Sequence, residues 1–279
     1  MKTLRFASFF ILSISCIVIS CSKKDTNNDN TQPTTELATV CQVSVTDEQI
    51  NEGILTAMDA ADSTEDGNAD MRPLGCAIVT TNFDTKTVTV DFGSGCVNTM
   101  TGDIRSGKIV IGYTGDSYTT ATQRTFQFQN FKSMDSITLN GTFTQNNIVR
   151  TVNTVGFTLS TSNFIFLLKS GKTHTLVSYE TNFSIDLGKN LRDLSDNITT
   201  ISGSANGINK DGETYSINTV TPVVFSGACS VSRIFYPTTG ACDVRIGDKP
   251  KFNISWGNGA CDKIITVTFP GNTIDVVLQ

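Results

Sequence analysis

Apolar and polar residues alternate along most of this chain, and a period of two is the pattern of half-buried β-strands. Two stretches show the alternation in a similar form, one from Cys76 to Cys96 and the other from Cys242 to Cys261. Each starts at a cysteine, passes a polar turn, and continues into an alternating run. That run ends in an aromatic residue followed by Gly-x-Gly and a second cysteine. The pattern predicts two β-hairpins, each closed by a disulfide.

The region between the two hairpins predicts further strands with short connections. Phe126 and Phe128 alternate with polar residues, and the runs that begin at Ile137 and Val155 do the same. Turn signals such as Ser170-Gly171-Lys172 separate the runs, which favours antiparallel pairing. We therefore predict a mainly β fold in which about a dozen strands form an antiparallel meander. A dozen strands are too many for one flat sheet. We therefore expect them to form a sandwich or a curved, partly closed barrel.

One short N-terminal helix is predicted from Asp47 to Ala61. Ile50, Ile54 and Met58 form an apolar stripe at helical spacing, suited to packing on a sheet. The two similar hairpins would also fit a duplicated domain. However, no Pro-, Gly- or Ser-rich linker divides the chain between them, so we predict a single β-rich domain over residues 41–279.

The N-terminus has the features of an export signal. Lys2 and Arg5 precede an apolar run over residues 6–19, which is too short to span a bilayer. Val18 to Cys21 resembles the bacterial lipobox, and the resemblance implies cleavage after residue 20 and lipid attachment to Cys21. The alternative is an ordinary signal peptide with a chance cysteine. Residues 21–40 are then the lipidated cysteine and a flexible polar tether, and the lipid would attach the protein to a membrane.

The charge of the chain limits its partners. Removing Lys2 and Arg5 from the 21 basic residues leaves 19 against 26 acidic ones, a net charge of −7. An acidic chain of this kind is unsuited to nucleic acid or to electrostatic docking on anionic lipid. We predict no nucleic-acid partner, and an envelope protein or glycan as the candidate partner.

Six cysteines remain after the predicted signal and the lipid-bearing Cys21, and an even number in an exported chain indicates disulfides. The similar spacing of the two hairpins predicts the pairs Cys76–Cys96 and Cys242–Cys261, with Cys41–Cys229 left over. The main rival joins Cys229 to Cys261 and leaves Cys41 with Cys242. A zinc site is disfavoured because the chain has one histidine and no Cys-x-x-Cys pair.

The residues available for catalysis are few. A Ser-His-Asp or Cys-His site would have to use His174, which we interpret as a surface or strand-face histidine in a polar run. The acidic stretch from Asp62 to Asp70 departs from a calcium loop, because Pro73 stands where a bidentate Glu is needed. Asp91 precedes the first glycine turn, and we interpret it as capping the turn's backbone amides. We predict no catalytic residue, no metal and no cofactor.

Taken together, the VISC lipobox, TVTVDFGSGC, GKIVIGYTG and NGACDKIITVTFPGNT resemble uncharacterised exported lipoproteins common in Bacteroidetes. The resemblance implies a cell-envelope location, at the periplasmic or surface face of the outer membrane, and a β-rich fold. It brings no activity with it. Members of that phylum O-glycosylate exported proteins after aspartate, which makes Ser63 and Ser136 candidate sites.

These observations favour a lipid-anchored envelope protein with a non-enzymatic binding or structural role. The first alternative is an envelope hydrolase that acts on glycan or peptide through paired carboxylates. The second is a carrier that holds an apolar ligand against its Phe-rich sheet face.

Overall fold

A computed structural model describes residues 76–97, 104–133, 137–190, 193–231 and 236–277. Several sequence predictions lie outside the described residues: the signal and tether, the helix from Asp47 to Ala61, and residues Cys21, Cys41, Ser63 and Ser136.

The described chain is built almost entirely of β-strands. The first seven are β1 (Ile78–Asn82), β2 (Thr87–Val97), β3 (Ile104–Tyr113), β4 (Arg124–Ser133), β5 (Ile137–Arg150), β6 (Thr154–Leu168) and β7 (Thr173–Asp186). The remaining six are β8 (Ile198–Ile208), β9 (Thr214–Ser226), β10 (Thr239–Ile246), β11 (Phe252–Ser255), β12 (Ile264–Phe269) and β13 (Asn272–Val277). Within the described ranges, the helical elements are a 3-10 turn η1 (Leu194–Asp196) and a single helical turn α1 (Gly227–Val231).

All thirteen strands belong to one sheet, and their order in the sheet is their order in the chain. Each strand pairs antiparallel with the next, so β1 and β13 are the two edges and the sheet is not closed. The predicted mainly β antiparallel meander is confirmed. None of the helical turns in the described ranges is long and apolar enough to cross a membrane.

Period-two alternation gives the sheet an apolar inner face and a polar outer face. The inner-face side chains from β2 to β12 form a single hydrophobic cluster. Its largest members are nearly all aromatic, and eleven of the phenylalanines belong to it: Phe92, Phe126, Phe128, Phe131, Phe143, Phe157, Phe164, Phe166, Phe183, Phe225 and Phe252. The Phe-rich alternation therefore builds the core.

Inner-face rings on strands two apart touch one another, which indicates that the inner face is concave. Phe92 of β2 contacts Phe131 of β4 with ring centroids 5.5 Å apart, and Phe143 of β5 meets Tyr179 of β7 at 5.7 Å. Strands two apart are separated by roughly 9.6 Å along a sheet. The rings close this gap, which indicates that the sheet curves around its inner face.

β-Bulges contribute to this curvature, because a bulge bends its strand and increases the local twist. The register shifts in seven neighbouring pairs between β2 and β10. Gly107 (φ +80°), Asn130 (φ +49°) and Gly141 (φ +135°) lie at these shifts in the left-handed region. At Gly107 a Cβ would lie 2.1 Å from the Asn130 carbonyl oxygen, so no larger residue fits without rearrangement.

The two predicted hairpins form, and the first carries its predicted disulfide. Cys76 and Cys96 are bonded across the β1–β2 hairpin, with Cα atoms 5.4 Å apart. β10 and β11 form the second hairpin, with Cys242 opposite Ile254.

The predicted bond between Cys242 and Cys261 is wrong, as is the pair that left Cys229 with Cys41. Cys261 is bonded to Cys229 of α1, as in the rival pairing. The physical reason is where the second strand ends: β2 continues through its Gly-x-Gly to Val97, whereas β11 stops at Ser255. Cys261 therefore lies in the loop after β11, near α1, while Cys242 is buried within β10.

Candidate functional site

Asp91 has the turn-capping role that its position predicts. Its Oδ1 accepts a hydrogen bond of 2.9 Å from the Gly93 amide, and its Oδ2 pairs with Lys108 Nζ at 2.9 Å. The Lys108 contact, followed by the Gly93 amide, lowers the pKa of the Asp91 carboxyl. Asp91 is therefore held ionised in a structural turn.

His174 lies inside the core and not at the surface. Its side chain is 1% exposed, and its imidazole stacks on the Tyr215 ring with centroids 5.2 Å apart. His174 Nε2 and Tyr215 Oη share a hydrogen bond of 2.9 Å. Burial away from water lowers the pKa of His174 to about 4. A neutral histidine sealed among aromatic rings cannot exchange protons with a substrate at the surface.

Lysine ion pairs engage other carboxylates, one in the β8–β9 turn and one within β10. Lys172 and then Lys210 lower the pKa of Asp211 to about 2. Lys251 Nζ lies 2.6 Å from Asp243 Oδ2 and is the main cause of that carboxyl's lowered pKa. Catalysis by paired carboxylates needs one acid with a raised pKa, so these groups are shifted the wrong way for a general acid.

The described ranges contain no cluster of side chains suited to binding a metal ion. No group of three or more His, Cys, Asp or Glu side chains lies close enough there to hold a metal ion.

The outer face has a depression over β5 to β8, with a volume of about 890 Å³. We call it the outer depression. Its lining is almost entirely hydroxyl and amide groups with one carboxylate: Gly141, Thr142, Thr144, Ser160, Thr161, Ser162, Ser178, Tyr179, Glu180, Asn182, Gly203 and Ser204.

Strand register places these polar side chains in rows that cross the sheet. The central row, which we call the polar row, has one member on each of four neighbouring strands, each directly opposite the next: Thr144, Ser160, Glu180 and Ser204. The row continues outward to Thr125 of β4 and Asn218 of β9. Directly opposite residues are the closest side-chain neighbours across a sheet. The polar row is therefore a continuous line of hydrogen-bonding groups.

Backbone irregularities shape the floor of the outer depression. Gly141 and Gly203 lie at register shifts of β5 and β8. A Cβ at Gly203 would lie 2.2 Å from the Glu180 carbonyl oxygen, so a side chain cannot be added there without moving the backbone. These glycines bring neighbouring strands close together beneath the polar row.

Local hydrogen bonds hold part of the lining in place. Asn206 Nδ2 donates to Ser178 Oγ at 3.1 Å, and Thr158 Oγ1 donates to Asn182 Oδ1 at 2.8 Å. The hydroxyls of Ser160 and Ser204 form no hydrogen bond within the described part of the chain, which leaves both open to solvent or a ligand. The depression thus combines fixed and available polar groups.

Sequence reasoning missed the outer depression. The alternate Ser, Thr and Asn residues of β5 to β8 are visible in the sequence, but alternation shows only that they face outward. Which of them become neighbours depends on register and bulges, which a single strand's residues do not reveal.

No protein-family model, curated protein or solved structure matches this chain.

Proposed function

We propose that this protein is a non-enzymatic binding protein of the bacterial cell envelope, anchored by a lipid on Cys21. The observation that carries the proposal is the outer depression, a polar concavity built on four paired strands. Rigid elements hold a binding surface in a defined geometry better than loops do.

The charged groups support binding over catalysis. Asp91, Asp211 and Asp243 each have a lowered pKa and a lysine partner. Glu180 is the one carboxylate in the described lining of the outer depression, and a glycosidase of the ordinary kind needs two. The envelope hydrolase alternative therefore has no pair of carboxylates to support it in this lining.

The packing of the inner face argues against the apolar carrier. Phe143 and Phe164 lie with centroids 4.7 Å apart, Phe164 and Phe166 at 5.1 Å, and both Phe143 and Phe164 have no exposed surface. A carrier would need space between such rings for its ligand. Here the rings fill that space with one another.

An envelope location is consistent with the disulfides. Cys76–Cys96 and Cys229–Cys261 are bonded, and bonds of this kind persist in oxidising compartments outside the cytosol. We propose that the lipid at Cys21 attaches the chain to the outer membrane and that residues 22–40 separate the β domain from it. The domain would then meet an envelope glycan or protein.

The test uses the chain from residue 21 with Cys21→Ser, which removes the lipid and leaves the rest intact. The protein is incubated with envelope polysaccharide and envelope protein fractions, and both binding and product release are measured. We expect retention of a partner without product release. Reproducible turnover that disappears in Glu180→Gln would contradict the proposal and favour the hydrolase.

A further inference from the structure

We propose that the outer depression binds an uncharged glycan chain that runs across the strands along the polar row. The inference rests on the proposed binding function and names its ligand class. It starts from Thr144, Ser160, Glu180 and Ser204, which lie directly opposite one another on β5 to β8.

The spacing of the polar row suits a polymer with regularly repeated hydroxyls. Neighbouring strands lie about 4.8 Å apart, so the row presents a hydrogen-bonding group at that interval. Sugar rings of an extended polysaccharide repeat along the chain at a similar interval. A glycan lying across the strands can therefore place one sugar over each strand.

Two flanking rows widen the contact to the breadth of a sugar ring. Ser162 lies opposite Ser178 on one side of the polar row, and Thr158 lies opposite Asn182 on the other. Hydroxyl groups both donate and accept hydrogen bonds, as sugar hydroxyls do. The hydroxyl groups of the lining can thus either donate hydrogen bonds to sugar hydroxyls or accept hydrogen bonds from them.

Charge excludes acidic glycans as the preferred ligand. Glu180 is central in the polar row and is the one charged side chain in the described lining. The whole chain has a net charge of −5. An anionic polysaccharide would approach a carboxylate in a negatively charged protein, whereas a neutral glycan can donate hydroxyl hydrogens to Glu180.

The experiment measures affinity for defined neutral glycans by calorimetry, using the Cys21→Ser chain. The probes are β-1,4-linked glucose oligomers from disaccharide to hexasaccharide, together with neutral mannan and xylan. Acidic polygalacturonate serves as the charge control. We expect a neutral glycan to bind, with affinity that rises with chain length until about four sugars cover β5 to β8. Because each hydrogen bond exchanges with water and contributes little alone, length dependence is the signature of the row.

A matched pair of variants locates the site. Ser162→Lys places a long side chain in the outer depression, beside Glu180, and should weaken binding at least about tenfold. Ser184→Lys makes the same change at another exposed serine on the outer face of β7, outside the depression, and should leave affinity unchanged. Circular dichroism of both variants checks that the sheet is intact.

Four results would overturn the inference: no affinity for any neutral glycan, equal loss in both variants, affinity independent of chain length, or preference for polygalacturonate. A partner found only in the envelope protein fraction would overturn the glycan inference and leave the proposed binding function standing. Glycan turnover lost in Glu180→Gln would overturn both.

Discussion

Phe128 of β4 and Phe164 of β6 meet edge to face with centroids 5.5 Å apart, across Gly141 of the strand between them. The contact depends on the glycine. A Cβ at Gly141 would lie 2.7 Å from Phe164 Cδ2 and 3.1 Å from Phe164 Cα. The two rings cover the face that Gly141 leaves bare, and the sheet bends at this point.

Substitution of Gly141 should therefore destabilise the fold. Gly141→Ala forces a Cβ against Phe164 and holds alanine at φ +135°, a region essentially reserved for glycine. We expect a loss of about 1–3 kcal/mol in the free energy of unfolding, measured by urea denaturation.

Gly156→Ala in the neighbouring β6 is the matched control. Its Cβ would meet the Phe183 carbonyl oxygen at 3.7 Å, an ordinary contact. This variant should unfold within about 0.5 kcal/mol of the parent. Equal destabilisation by both substitutions would show that Gly141 has no special role.

His174 of β7 and Tyr215 of β9 also stack across a glycine of the strand between them, Gly207 of β8. Because His174 is buried in this contact, we expect the stability of the fold to be sensitive to acid. His174 is neutral in the folded protein, with its pKa lowered to about 4 from an ordinary value of 6.5. Between these values the unfolded chain binds a proton that the folded chain does not, so stability falls as pH falls from 6.5 toward 4. Over this range we expect the free energy of unfolding to fall by about 3 kcal/mol, measured by urea denaturation at a series of pH values.

The His174→Gln variant isolates this contribution, because an amide stays neutral over the whole range. Its stability should change less than the parent's between pH 6.5 and 4. Carboxylates with lowered pKa values, such as Asp91, Asp211 and Glu213, lose their stabilising effect from about pH 5 downward. They do so in parent and variant alike, so the difference between the two proteins reports His174. The same pH dependence in parent and variant would contradict the assignment to His174.

Side-chain alternation predicted the strands and the faces of Phe126, Phe128 and Phe143, because a period of two is a local property. The turn signals between the runs predicted antiparallel pairing. Local residues do not set the register shifts at Asn130 and Gly141, which arise between strands. The wrong second disulfide and the missed outer depression both follow from this limit of local sequence patterns. The second disulfide and the outer depression both depend on where strands end and which residues they oppose.

The remaining cysteines predict a third disulfide. Cys76–Cys96 and Cys229–Cys261 use four of the six, and Cys41 and Cys242 are left. Cys242 is buried in β10, with its Sγ 4.0 Å from Thr219 Oγ1. Non-reducing peptide mapping of the exported protein should recover a peptide that joins Cys41 to Cys242. Alkylation of Cys242 in the unfolded, unreduced protein would contradict the pairing.

The membrane anchor is tested at Cys21, which follows the predicted signal at the end of the apolar run. Two acyl chains on one cysteine hold a protein on a membrane stably, whereas one chain binds reversibly. We expect metabolic labelling with a palmitate analogue to mark the protein and to place it in the membrane fraction. Cys21→Ala should lose the label, while Cys16→Ala, a change within the predicted signal, should keep it. Equal labelling of the parent and Cys21→Ala would show that the lipid is not on Cys21. A parent that carries no label would indicate an ordinary signal peptide, and the domain would then reach its partner without a lipid tether.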